Sequence, residues 1–165
     1  PRIVAALRHL STQHPGGDWG YYLDGDQPRW SRIIISGHSH GASSSAVIGK
    51  FRTVERVVSL AGPLDSGQAW LTAPSMTPID RFYAFTHSAD GQHAGHLGSF
   101  EALGLPGAPT TVDGATPPYA SSHRLMSTVT VTDGHGAVQA GGSSPKLGDG
   151  TYRYLPAWRY LYGVD

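Results

Sequence analysis

Apolar residues come in short runs along this chain, and the runs differ in period. From Ile3 to Leu10 they fall on one helical face, with Arg8 and His9 off it. His14-Pro15-Gly16-Gly17 breaks that helix. Trp19 to Trp30 is an aromatic loop with turn signals at Asp24-Gly25 and Gln27-Pro28. Ile33-Ile34-Ile35 is a continuous β-branched run, the composition of a parallel strand buried on both faces. Ala42 to Lys50 is rich in small residues, which lets a helix lie close to a sheet. Further strands are predicted over Val54–Leu60, ending at Ala61-Gly62-Pro63, and over Arg81–Thr86. Leu97 to Leu103 reads as a helix closed by Gly104, and 104–124 as a Pro/Gly-rich loop. The β-branched stretch Ser127–Thr132 predicts a fourth strand, and Tyr154–Tyr162 a C-terminal aromatic helix. Strands separated by helical stretches predict βαβ units and a parallel sheet.

The junction after the first of these strands carries the clearest chemistry. Gly37-His38-Ser39-His40-Gly41 follows the Ile33–Ile35 strand directly and opens the next helix. In a chain with 22 Gly, a Gly-x-Ser-x-Gly string alone also reads as a glycine-serine turn. The strand before it and the helix after it set this one apart. A sharp strand-to-helix turn would push the Ser39 hydroxyl outward. Gly37 and Gly41 would give that turn clearance from neighbouring backbone. The helix N-terminus at Ser39 favours negative charge, and the His40 backbone N–H is placed to donate to an oxyanion.

Functional groups of a parallel sheet gather at the carboxyl ends of its strands. Past the third strand stands Asp90, in Thr86-His87-Ser88-Ala89-Asp90-Gly91. Past the fourth stands His135, in Asp133-Gly134-His135-Gly136. A serine becomes a nucleophile when an imidazole takes its proton, and the imidazole needs a carboxylate to fix its tautomer and stabilise its charge. Ser39, Asp90 and His135 supply these three types in chain order. Asp65, after the second strand, is a rival acid, and His123 a rival histidine that precedes the last strand. Asp90 and His135 also read as ordinary turn residues, and Asp133 lies too near His135 to orient it easily. His93-x-x-His96 puts two imidazoles on one helical face. With no Cys and no HExxH string, exposed helical histidines are expected there rather than a metal site. Trp19, Tyr21, Tyr22 and Trp30 read as border residues of an acyl pocket or as packing rings.

Composition narrows the class. The 165 residues suffice for one domain with a real core. Formal net charge is zero, and no basic run with interleaved aromatics points to nucleic acid. No apolar run is long enough for a transmembrane segment. The lack of Cys excludes a disulfide framework and leaves the compartment open. The chain begins at Pro1, which suggests a processed or truncated form and leaves targeting open.

On the Gly37–Gly41 elbow and the order of the three side chains, the chain resembles the C-terminal portion of the α/β-hydrolase superfamily, among serine esterases and lipases. The resemblance implies a single α/β domain over 1–165: a mostly parallel sheet flanked by helices, truncated before its N-terminal strands. It implies hydrolysis of a small-molecule or lipid-like carboxylic ester through an acyl-enzyme. Ser39 would be nucleophile, His135 base then acid, Asp90 the orienting acid, and no cofactor is needed. In such folds a second oxyanion donor comes from a loop after an early strand, and no His-Gly-Gly-Gly-type loop precedes Ser39 here. The elbow strand would then form a sheet edge. The short 61–80 segment implies an open cleft without a large lid. A hydrolase-like domain that binds without catalysis, or an inactive fragment, is the alternative.

Overall fold

The β-branched and aromatic runs pair side by side into one parallel sheet. The computed structural model describes residues 2–164; Pro1, on which the reading of the chain's start rested, lies outside them. The chain begins with α1 (Arg2–Gln13) and a small antiparallel hairpin, β1 (Leu23–Asp24) and β2 (Gln27–Pro28). β3 (Ile34–His38) leads into α2 (His40–Phe51), then β4 (Arg56–Leu60), β5 (Phe82–His87) and α3 (His93–Ala102). β6 (Thr110–Thr111), β7 (Arg124–Ser127), the short α4 (Gly134–Ala137) and α5 (Leu155–Tyr162) complete it. The sheet order is β3-β4-β5-β7-β6, with every pairing parallel. The protein is therefore α/β, a five-stranded parallel sheet flanked by helices.

Alternation along the strands explains why helices cover both faces. On β4, Val57 packs one way, with Ala46 of α2, Phe82 and Phe100 of α3. Val58 and Leu60 point the other way, into a cluster with Phe85, Leu125, Tyr154 and Leu161 of α5. β3 lies at the sheet edge, and among the described residues it pairs on its β4 side alone. Its isoleucines are correspondingly less covered than a strand buried on both faces would be, and Ile34 is 38% exposed. The segment between β4 and β5 is tied down rather than free. Leu71 is fully buried, and the buried Lys50 ammonium donates to the Leu71 and Ala73 carbonyls at 2.8 and 2.7 Å. Burial lowers the Lys50 pKa. Among the described residues no helix is long and apolar enough to cross a membrane.

The fourth strand departs from its predicted place. It spans Arg124–Ser127 rather than Ser127–Thr132. β7 runs in register with β5 and stops where β5 stops, at the pair His87 and Ser127. Beyond that point Asp113 takes over: it accepts from the Thr128 N–H at 2.6 Å, the Thr128 hydroxyl at 3.0 Å and the Ser127 hydroxyl at 2.7 Å. The β-branched residues 128–132 are thereby turned off the sheet. The expected loop over 104–124 also contains β6, whose two residues are too few to give a period. α3 starts at His93, four residues before the predicted Leu97.

Phe85 anchors the central strand: it is fully buried and meets the Tyr154 ring edge-on at 5.1 Å. Phe85→Ala removes both the transfer term and the packing, and should cost about 3–5 kcal/mol. A denaturant unfolding curve measures it, and a loss under about 1 kcal/mol would deny that strand its role in the core.

Candidate functional site

Ser39 sits where β3 meets α2, with φ 58° and ψ −121°. Non-glycine residues rarely adopt that conformation, at a cost of about 1–3 kcal/mol. The surrounding backbone holds it: the Ser39 N–H donates to the Leu60 carbonyl at 2.9 Å, and the Ser39 carbonyl accepts from Ala42 N–H at 2.9 Å. The turn is so tight that a Cβ on Gly37 would overlap the Gly41 carbonyl group. The clearance is one-sided, because a Cβ on Gly41 would meet nothing within 4 Å. The His40 N–H opens α2 with no backbone acceptor among the described residues. Gly37→Ala should therefore cost about 3 kcal/mol or more by forcing β3 and α2 apart. Thermal unfolding of that variant beside Gly41→Ala checks it, and equal effects would contradict the one-sided clearance.

Asp90 and His135 approach from the ends of β5 and β7. Asp90 is buried, and its Oδ2 accepts from His135 Nδ1 at 2.7 Å. Its other oxygen accepts from the Gln92 N–H at 2.9 Å. Burial by itself would raise the Asp90 pKa. The Gln92 and His135 hydrogen bonds, with the neighbouring imidazoles, outweigh it and hold the carboxyl below its ordinary value. With Nδ1–H committed to Asp90, His135 keeps Nε2 as its basic nitrogen. Gly134 backs this contact, since a Cβ there would press on the Ala89–Asp90 peptide at 2.5 Å. Asp133 caps α4 through the Gly136 N–H at 3.0 Å and does not bond the His135 side chain. Among the described residues no hydrogen bond joins Ser39 Oγ to His135. His38 connects their two loops instead: its Nε2–H donates to the His135 carbonyl at 2.8 Å, with the two rings 4.7 Å apart.

The rival residues lie elsewhere or do something else. His123 is buried at the start of β7, where Nδ1–H donates to the Phe82 carbonyl at 3.0 Å and the ring stacks on Tyr83. Asp65 lies beside Ser39, but its carboxylate accepts from the Ser43 hydroxyl at 2.6 Å and meets no histidine. Trp19 and Tyr22 pack near Ile3, Leu7 and Ile34, and Trp30 against Ile48 and the core below it. None of the aromatic loop lines the cavity at Ser39. A cavity of about 580 Å³ lies at the opposite end of the sheet against Arg56 and Tyr83, away from Ser39.

The helical histidines are not exposed, contrary to expectation. His96 is fully buried and His93 half-buried, because α3 lays both over β5. Both face the Thr86 hydroxyl, His96 Nδ1 at 2.9 Å and His93 Nδ1 at 3.3 Å. His96 Nδ1 is also 3.8 Å from Asp90 Oδ2. Among the described residues no three metal-capable side chains converge. Burial pushes His96 down to about 4, against the pull of Asp90 and with help from the nearby imidazoles. His96 is thus neutral beside Asp90 at neutral pH. His38 and His96 were not visible as supports in the sequence. The i, i+3 spacing of His93 and His96 was the one signal, and it did not say which face was buried.

The unfolded chain protonates His96 near its ordinary 6.5 and the folded one near 4. Between those values the unfolded state binds more protons. Stability should fall as pH drops through that window, then level off for this group below it. Burial lowers His87, His93 and His123 as well, adding in the same direction. His96→Gln should flatten the pH dependence of the denaturant midpoint between pH 6.5 and about 4, and an unchanged slope would contradict this. No protein-family model, curated protein or solved structure matches the chain.

Proposed function

We propose that this chain is a serine hydrolase of α/β-hydrolase type that cleaves carboxylic esters through an acyl-enzyme. The observation that carries the reading is the pairing of a buried, ionised Asp90 with His135 Nδ1, at strand ends adjoining a strained Ser39. Three residue types that chemistry requires together come from three separate loops, in the chain order Ser, acid, His.

The steps follow from the groups present. Ser39 Oγ attacks the ester carbonyl carbon as its proton passes to His135 Nε2. Charge appears on the carbonyl oxygen, where the His40 N–H and the α2 N-terminus favour it. Asp90 stabilises the imidazolium and holds its orientation. The C–O bond then breaks, His135 returns the proton to the leaving alcohol, and Ser39 carries the acyl group. Water, deprotonated by His135, releases the acid and restores the serine. His38 positions His135 by holding its backbone carbonyl.

One observation favours a second reading, a hydrolase-like domain that binds without catalysis: no Ser39–His135 hydrogen bond is formed among the described residues. Such bonds are often long without substrate and close in the bound complex. Ester turnover separates the two. Wild type should hydrolyse a short ethyl ester, and Ser39→Ala should lower kcat by about six orders of magnitude and Asp90→Asn by about four, with the fold retained by circular dichroism. Turnover indifferent to both substitutions would exclude the hydrolase.

A further inference from the structure

Asp65 is left unused by the chemistry above, yet it lies at its edge. A cavity of about 150 Å³ opens at Ser39, lined by His40, Ser43, Ala61, Leu64, Asp65 and Gln92. Asp65 is fixed there twice. Its backbone N–H donates to the Ser99 hydroxyl of α3 at 3.1 Å, and its Oδ2 accepts from the Ser43 hydroxyl of α2 at 2.6 Å. Ser43 lies one helical turn past Ser39, which aims this contact along the face that carries the nucleophile. The second carboxylate oxygen has no hydrogen-bond partner among the described residues, and no Lys or Arg lines the cavity. The Gln92 side-chain amide is likewise unengaged beside it, its hydrogen bond to Asp90 coming from the backbone. Ala61 and the 46%-exposed Leu64 form the apolar wall.

Two constraints follow. Volume limits the occupant: 150 Å³ is roughly five water-sized groups, below the ~300 Å³ where drug-sized pockets begin. Position assigns it to one side of the ester. The cavity touches Ser39 and His40, the nucleophile and the oxyanion donor, but not His135, which protonates the departing alcohol. It therefore adjoins the acyl side. We infer that Asp65 is a specificity residue for the acyl group, and that the preferred substrates are esters of short acids bearing a hydrogen-bond donor, an ammonium or hydroxyl, a few atoms from the carbonyl. A long alkyl chain would run out of the cavity into solvent and leave a fixed carboxylate facing hydrocarbon.

This inference rests on the hydrolase reading, so its test has one arm that does not need turnover. The isosteric ethyl esters of β-alanine, 3-hydroxypropanoic acid and butanoic acid differ only in the terminal group. Wild-type kcat/KM should favour the amino and hydroxy esters over ethyl butanoate by about tenfold or more, the usual size of one charge-assisted hydrogen bond. The ratio should collapse toward one in Asp65→Asn for the amino ester, and in Asp65→Ala for both. In the second arm, β-alanine amide and butanamide are titrated by NMR into Ser39→Ala, with and without Asp65→Asn. Preferential binding of β-alanine amide that disappears in Asp65→Asn supports the pocket even where no ester is cleaved, in which case the hydrolase reading alone fails. Equal binding of the two amides, or a preference that survives Asp65→Asn, overturns the inference whatever the esters do.

Discussion

The close approach of Gly37 to Gly41 is the constraint on which the site depends. Where a strand must reverse into a helix within one residue, the backbone on either side of that residue is nearly in contact, and a Cβ on Gly37 has no room. That crowding fixes Ser39 in a conformation no serine would choose alone. The strain is held by the Leu60 carbonyl on the neighbouring strand and by the first turn of α2. The same geometry leaves the His40 N–H at the helix start without a backbone acceptor among the described residues. The sheet then does the rest, because parallel strands in register end at the same level. Asp90 and His135 therefore emerge on the edge where Ser39 does.

Much of this was readable from residue order. A continuous β-branched run before Gly-x-Ser-x-Gly and small residues after it fixed β3, the turn and α2. The polar residues following each strand named Asp90 and His135 as candidates, and these two are hydrogen-bonded. What could not be read was set by long-range contacts. The Thr-rich stretch after Ser127 has every local preference for a strand, but β5 ends at His87 and Asp113 takes the next N–H. β6 is two residues whose strand pairing is with β7. His96 looked like a surface residue because its spacing says nothing of which face packs on β5. The elbow strand has the composition of a strand buried on both faces, whereas Ile34 is 38% exposed; its place at the sheet edge is the one expected.

The histidines share one environment and divide it by burial. His135 is half-buried and keeps its carboxylate partner. His96, sealed behind it, is driven to its neutral form and leaves Asp90 its negative charge without competing for it as a cation. His38 spends its Nε2–H on the His135 carbonyl. Among the described residues the carboxylate thus has one imidazole within hydrogen-bond reach, and that imidazole's other nitrogen has no hydrogen-bond partner. Such an asymmetry suits the general-base role proposed for His135.

The central claim is that Ser39 is an activated nucleophile rather than a serine in a tight turn. A fluorophosphonate reacts with serines whose proton is taken by a base, and the modified residue is identified by peptide mass spectrometry. The account predicts a single adduct, on Ser39, formed at neutral pH and nearly abolished in Asp90→Asn. An unlabelled folded protein, or an adduct on another serine with Ser39 untouched, would contradict it.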